Sequence, residues 1–303
     1  MGSQSIKDME QKSICWPLNN MGHFQFIERV LNRFVVFVHS SWIYRRETFF
    51  SFRKSWWRYP MRREEIIQYA LHFNHDYEQM AYALKFRPEV TPLPMVDAIT
   101  YIDEDYPKSL FDLPNPPFVL FYLGNKELLT LPAISIIGSR KPSEYAIGTT
   151  VELVRNLKHR YVIVSGLAKG IDGIAHREAL DDGYTIGILG CGIHEVYPKI
   201  NEPLYKEMST NHLILSEYPL HQPPLKHQFP FRNRLIAALS AKCVVTSAAK
   251  LSGTMHTVNA ALALGKEVIT IPYQMNDYFG EGCNQLILQG ACVLTNVEDF
   301  AMI

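Results

Sequence analysis

The chain has no excess of charge of either sign. Its 303 residues contain 30 lysine and arginine side chains against 30 aspartate and glutamate side chains. A protein that attracts nucleic acid through a global positive field carries a clear basic excess. Any site for a polyanion must therefore be a local feature of this molecule.

The sequence also lacks long apolar runs and a signal-peptide pattern. The longest apolar stretches, such as residues 34–38 and 133–137, are far shorter than the roughly 20 residues that cross a bilayer. Asp8, Glu10 and Gln11 stand where a signal peptide needs a basic start and an apolar run. We expect a cytoplasmic protein with no membrane partner.

Cysteine is scarce, and the residue patterns of common cofactor sites are missing. The five cysteines are scattered without a CxxC pair, which excludes a disulfide framework and a structural zinc site. Cys191 and His194 have CxxH spacing but supply only two ligands. Glu195 breaks the GxGxxG pattern of an NAD site that starts at Gly190, and no Walker loop is present. We therefore predict no metal and no cofactor.

From about residue 97 onward, short β-branched runs alternate with amphipathic segments. This pattern predicts an α/β fold with an extended Rossmann-like, doubly wound and mainly parallel sheet. The runs are continuously apolar, as expected for strands buried on both faces. Strands are predicted over residues 118–122, 133–137, 161–165, 185–189, 213–215, 243–246, 268–271 and 292–294. Helices are predicted from Ser143 through 159, from Asp172 through 180, and from Ser252 or Thr254 through 264.

Residues 1–96 differ in character and are predicted to form a small helical N-terminal domain, with residues 97–303 as the Rossmann-like domain. Residues 61–82 have the pattern of one or two amphipathic helices, and the proline-rich residues 88–94 suit a linker. Residues 42–63 interleave cations with aromatic side chains. They form either the core of this domain with a basic rim, which the sequence favours, or a second surface for single-stranded DNA.

Glycine, hydroxyl and basic residues gather directly after several predicted strands. In an open parallel sheet, ligands bind beyond the carboxyl ends of the strands, where helix N-termini present free N–H groups. One such loop needs glycine for steric reasons alone, but four together favour a polyanion site. The loops are Gly138-Ser139-Arg140-Lys141, Ser165 to Gly170, Gly190 to Gly192, and Ser252-Gly253-Thr254.

The segment Phe229 to Arg234 adds arginine forks for phosphates and phenylalanine rings that can stack on bases. A second interpretation stays open. If Asn233 already lies in a helix, Arg232 and Arg234 point to different sides, and one of them is an internal salt-bridge partner.

Together these segments resemble the DNA-processing protein A family (DprA/Smf). The resemblance runs in family order over about residues 99 to 295. It implies an extended Rossmann-like fold, a SAM-like N-terminal domain, a homodimer, and binding of single-stranded DNA that is delivered to the RecA recombinase in natural transformation and homologous recombination. The stretches that carry it are Ile137 to Arg140, Ser165 to Asp172, Tyr197 to Asn201, Ser216 to Pro219, Phe229 to Leu239, Ser252 to Thr254, and Gly282 to Ala291.

The resemblance and the loops define one predicted DNA-binding set. Arg140, Lys169 and the pair Arg232 and Arg234 are expected to hold phosphates. The complete set is Gly138, Ser139, Arg140, Lys141, Ser165, Gly166, Lys169, Gly170, Phe231, Arg232, Asn233, Arg234, Ser252, Gly253 and Thr254. The chain departs from the family pattern at Ser247, at residues 255–257 and at Tyr273, where relatives often have glutamate, a more aliphatic run and glycine.

Two other functions compete with DNA binding. The first is hydrolysis of nucleoside monophosphates, as in the lysine-decarboxylase-like phosphoribohydrolases, whose glycine loop is followed by a catalytic glutamate. Here residues 255–259 contain no acid, and His176 is expected to be structural, so we predict that the chain is not an enzyme. The second is a protein-interaction scaffold with purely structural glycine loops, which predicts no affinity for DNA at any salt concentration.

Overall fold

The computed structural model describes residues 61–303, all of which belong to one compact unit. A nine-stranded sheet forms its centre. Its strands are β1 (Ala98–Thr100), β2 (Val119–Gly124), β3 (Ala133–Gly138), β4 (Val162–Ser165), β5 (Thr185–Gly192), β6 (Leu213–Tyr218), β7 (Lys242–Ser247), β8 (Glu267–Thr270) and β9 (Cys292–Val293).

The strands lie in the order β1-β2-β6-β5-β4-β3-β7-β8-β9. The pairs β1–β2 and β2–β6 are antiparallel, and all other neighbours are parallel. From β3 the chain proceeds outward through β4, β5 and β6, and then returns to the other side of β3 with β7 and β8. The reversal point between β3 and β7 is where doubly wound sheets open a crevice for ligands.

Helices cover both faces of the sheet because alternate residues of each buried strand point to opposite sides. Ile163 of β4 belongs to a core cluster with helices α3 and α4, whereas its neighbours Val162 and Val164 pack with α6, α7 and α8 on the other face. The helices are α1 (Arg63–His72), α2 (Tyr77–Phe86), α3 (Glu144–Leu157), α4 (Ile171–Leu180), α5 (Glu202–Asn211), α6 (Gln228–Ala238), α7 (Thr254–Ala263) and α8 (Glu281–Leu288).

The predicted fold class is confirmed, and each of the eight predicted strands is present. The short strand β1 was not predicted, because a strand of three residues is too short to show a recognisable sequence pattern. Ser143 caps α3 as predicted, since its hydroxyl accepts a hydrogen bond from the Ala146 N–H. The other two predicted caps are wrong: Gly170 precedes α4 and Gly253 precedes α7.

The described part of the N-terminal region consists of α1 and α2, which matches the prediction of one or two helices over residues 61–82. Arg63 at the start of α1 forms a 3.0 Å ion pair with Asp103, so this helix is tied to the segment after β1. Residues 87–97 contain neither helix nor strand. The boundary near residue 96 stays a prediction, and residues 42–60 of the proposed second DNA surface lie outside the described residues.

None of the helices in residues 61–303 is both long enough and apolar enough to cross a membrane.

Candidate nucleic-acid interface

The loops that follow β3 and β4 are in direct contact at the carboxyl edge of the sheet. Gly170 has a φ of +77°, and a Cβ atom at this position would come within 2.2 Å of the Ser139 carbonyl oxygen. A side chain at Gly138 would likewise meet Ile171 of α4 at 2.6 Å. Glycine is therefore required at both positions, and it brings the predicted residues of the two loops together.

Three cations of the predicted set are exposed on these two loops: Arg140, Lys141 and Lys169. Within residues 61–303 none of them forms an ion pair with an acid. The Arg140 guanidinium lies 6.0 Å from the centre of the Phe229 ring. The edge thus presents cations to solvent on a fixed backbone, which is an arrangement that attracts phosphate groups.

Arg232 is not a surface residue, which corrects the prediction that it contacts a phosphate. It is 4% exposed, and its Nη1 donates hydrogen bonds to the carbonyl oxygens of Gly166, at 2.8 Å, and Ile188. Burial lowers the pKa of its guanidinium to about 10, so it remains charged at neutral pH. Helix α6 turns this side chain inward, where it satisfies the carbonyl group of Gly166, directly after β4, and that of Ile188, within β5.

Asp172 accompanies Arg232 beneath the glycine loop. Its carboxylate accepts a hydrogen bond from the Gly166 N–H at 3.1 Å, and burial raises the pKa of this carboxyl although the charge of Arg232 opposes the shift. A Cβ at Gly166 would lie 2.7 Å from both Arg232 Nη2 and Asp172 Oδ2. The glycine therefore makes room for a buried pair of opposite charges that supports the loop from below.

Arg234 and Phe231 also differ from the prediction, because they form an internal cluster with α2 and β6. Arg234 donates to Glu217 Oε1 at 2.5 Å and to the Tyr77 hydroxyl at 2.7 Å, and its side chain is 12% exposed. The Arg234 guanidinium lies 3.9 Å from the centre of the Phe231 ring, which also meets Tyr77 edge-on at 5.8 Å. The salt-bridge interpretation that the sequence left open thus applies to Arg234.

Of the remaining predicted residues, some are buried beneath the loops and others lie at the protein surface. Ser165 is buried and donates to the Ile136 carbonyl oxygen, and Thr254 is buried at the start of α7. Asn233 accepts a hydrogen bond from Arg232 Nε at 3.2 Å. Ser252 is half-buried, and Gly253 is exposed with no other atom within 4 Å of a Cβ placed there.

Two aromatic residues at this edge were not in the predicted set. Phe229 stands over Gly190, where a Cβ would come within 2.8 Å of the ring, and Tyr197 lies 5.4 Å from Phe229 between ring centres. Both lie in stretches that carry the family resemblance, but the sequence does not distinguish the roles of Phe229 and Phe231. Their directions depend on where α6 begins, and no strong cap marks that position.

His176 has a structural role, as predicted. Its Nε2 accepts the Leu167 N–H at 3.3 Å, so the ring proton is on Nδ1 and is donated to the Thr185 hydroxyl at 2.6 Å. Burial, with the nearby Arg232 charge, lowers the pKa of His176 to about 3. Burial also raises the pKa of the Cys191 thiol to about 11. In the described part of the chain, no group of three or more His, Cys, Asp or Glu side chains could hold a metal ion.

Comparison with known proteins identifies the family. The sequence profile described as DNA recombination-mediator protein A matches residues 97–303. The match includes all nine strands of the sheet. The chain belongs to this family. It is 39% identical over 203 residues to DNA processing protein DprA of Streptococcus pneumoniae, an alignment that covers 67% of this chain and 72% of that protein. The predicted resemblance is thereby confirmed.

Solved structures agree with the sequence comparison. The X-ray structure of DNA processing protein A from S. pneumoniae superimposes with a TM-score of 0.67 at 32% identity, covering 78% of this chain and 90% of that one. DNA processing protein A from Helicobacter pylori superimposes with a TM-score of 0.63 at 35% identity, covering 68% of this chain and 94% of that one. The H. pylori protein binds single-stranded DNA.

Proposed function

We propose that this chain binds single-stranded DNA at the carboxyl edge of its parallel sheet and performs no chemistry on it. The observation that carries the proposal is the group of exposed cations Arg140, Lys141 and Lys169, which lie on contacting glycine loops beside the Phe229 ring. Cations that follow a backbone and rings that stack on bases are the two components of sequence-tolerant single-strand binding. The single-strand binding of the H. pylori relative supports the same function.

In this proposal the phosphate contacts come from Arg140, Lys141 and Lys169, with the backbone of Gly138, Ser139 and Gly170 close to the strand. The backbone at Gly253 offers the DNA strand a second place of close approach. Gly253 follows β7, which is the neighbour of β3 across the reversal point of the sheet. The buried and half-buried members of the predicted set act indirectly, by holding other parts of the chain in place. The loops are supported by Ser165, Gly166, Arg232 and Asn233, and the cluster with α2 and β6 is held by Phe231 and Arg234.

The same proposal includes two protein partners, a second copy of the chain and the RecA recombinase. Family membership supports the recombinase, since a recombination mediator must present DNA to one. Exposed leucines, Leu262 on α7 and Leu288 on α8, supply apolar surface of the kind that protein partners cover. Sedimentation of the full chain, alone and with RecA on single-stranded DNA, tests these partners.

The test of DNA binding is fluorescence anisotropy of labelled oligonucleotides with the full chain. We expect single strands to bind more tightly than duplexes, and Arg140→Ala and Lys169→Ala each to weaken binding. Arg177→Ala is the matched control, because Arg177 is also exposed but lies two turns into α4. Equal affinity for both forms of DNA, or unchanged binding in both loop variants, would refute the proposed site.

Hydrolysis of nucleoside monophosphates gains no support from the described residues. Asp172 and Glu217 are buried near this edge, and both are engaged, Asp172 with the Gly166 N–H and Glu217 with Arg234. The side chain of Tyr273, which replaces the usual glycine, donates to the Thr246 carbonyl oxygen at the end of β7 and packs on Tyr145. Release of free base from a nucleotide by the purified chain would establish an enzyme and overturn the proposal.

A further inference from the structure

Tyr197 lies beside the half-buried Phe229 ring at the carboxyl edge of the sheet, but the proposed function gives it no role. Its ring centre lies 5.4 Å from that of Phe229 with a 40° tilt, and the Arg140 guanidinium lies 6.0 Å from the centre of Phe229 on the same loop cluster. The Phe229 ring therefore lies next to one planar cation and one further aromatic ring. Tyr197 is 47% exposed, so a large part of its ring is available to a ligand.

The segment that carries Tyr197 is fixed to the loop that carries Lys169. Asn201 is buried, and its Nδ2 donates hydrogen bonds to the carbonyl oxygens of Leu167 at 2.9 Å and Ala168 at 3.0 Å. The position of the Tyr197 ring relative to the cations is therefore set by the folded chain. A ring held in place before binding loses little conformational entropy when a base stacks on it.

We propose that Tyr197 is a second base-stacking position, next to Phe229, so that the interface holds two successive bases of a single strand. This inference rests on the proposed function and extends it along the strand. The 5.4 Å between the two ring centres exceeds the roughly 3.4 Å rise per nucleotide of a duplex strand. The two rings therefore suit an unstacked single strand in which each of two neighbouring bases stacks on its own protein ring.

The test compares full-length variants by anisotropy with labelled oligothymidylates of increasing length. Tyr197→Leu keeps apolar cover over Phe229 but removes the stacking ring, and Tyr197→Phe keeps the ring. Tyr184→Leu is the matched control, because Tyr184 is 49% exposed and precedes β5 at the opposite end of the sheet. Thermal unfolding of each variant reports on the fold.

We expect Tyr197→Leu to weaken binding of long oligothymidylates by roughly 5- to 150-fold, the range for one base stacked on one aromatic ring. Tyr197→Phe and Tyr184→Leu should bind like the wild type. The loss should shrink for oligomers too short to reach past Phe229. Wild-type affinity in Tyr197→Leu overturns this inference alone, whereas a wild-type chain that binds no single strand overturns the proposed function as well.

Photocrosslinking of the wild-type chain to oligothymidylate with a single 5-iodouracil covers the case in which Tyr197→Leu fails to fold. An adduct on Tyr197 located by mass spectrometry supports the stacking position. Efficient crosslinks that fall on other residues, with none on Tyr197 at any position of the label, overturn it.

Discussion

Gly166 determines how the loop after β4 is supported from within. A Cβ there would lie 2.7 Å from Arg232 Nη2 and from Asp172 Oδ2, both of which are buried. We expect Gly166→Ala to lower the free energy of unfolding by about 1–3 kcal/mol, because overpacking displaces two buried charged groups. Urea unfolding measures this change. Gly148→Ala is the control, since that exposed glycine on α3 has no neighbour within 4 Å of a Cβ; equal stabilities of the two variants would contradict the account.

Gly253 poses the opposite case, because the folded chain gives no reason for glycine there. Its φ of −60° suits any residue, and a Cβ would meet no atom within 4 Å. We expect Gly253→Ala to change the free energy of unfolding by less than about 1 kcal/mol. Its affinity for single-stranded DNA should nevertheless fall, because the methyl group would occupy space used by the strand. Wild-type affinity in this variant would remove Gly253 from the interface.

His176 makes the stability of the fold depend on pH. Its pKa is about 3 in the folded protein, against an ordinary value of about 6.5 when unfolded. Below pH 6.5 the unfolded chain takes up a proton that the folded chain excludes, so this contribution to stability is present above pH 6.5 and is lost as the pH falls toward 3. Between pH 7 and pH 5 the loss from His176 should be about 2 kcal/mol.

Urea unfolding of the wild type and of His176→Gln at several pH values isolates this effect. The variant should be less stable at pH 7, because the hydrogen bonds to Leu167 and Thr185 change, but its stability should fall less steeply toward pH 5. Parallel pH dependences of the two proteins would show that His176 is not buried as a neutral ring.

Among the secondary-structure elements, the contact of α2 with β6 and α6 couples the N-terminal helices to the sheet. Tyr77, Glu217 and Arg234 meet there in a buried hydrogen-bonded cluster. We expect Arg234→Met to lower the free energy of unfolding by about 3–5 kcal/mol, because it leaves the Glu217 carboxylate buried without its cation. Arg155→Met breaks an exposed ion pair with Glu178 and should cost at most about 1 kcal/mol. Similar losses in both variants would refute the buried pair.

The elements differ in how well the sequence predicts them. Buried parallel strands are recognisable because their continuous apolar runs, such as residues 133–137, lie between glycine-rich turns. The directions of the side chains on α6 cannot be recognised in the sequence, because they depend on packing between distant segments. Arg232 and Arg234 were predicted to hold phosphates from their residue type and from the family resemblance. Their partners in the folded chain are a carbonyl group directly after β4, another within β5 and a carboxylate on β6, which sequence spacing does not bring together.

At the scale of the whole molecule, a chain with balanced charge places three exposed cations on two contacting loops at one edge of its sheet, counting only these loops of residues 61–303. The loops after β3 and β4 place Arg140, Lys141 and Lys169 there, while nearby buried arginines are neutralised or hydrogen-bonded inside the protein. A neutral molecule of this kind should attract DNA only at short range. Its affinity should therefore depend on the few phosphates at this edge rather than on net charge.

The most direct test of this account is the salt dependence of binding to a single-stranded oligonucleotide, measured by anisotropy for the wild type and for the double variant Arg140→Ala/Lys169→Ala. Each phosphate contact with a single strand contributes about 0.7 to the slope of log affinity against log salt. The account predicts that the slope of the double variant is flatter by about 1.4, with the folded structure retained. An unchanged slope in a folded double variant would contradict it.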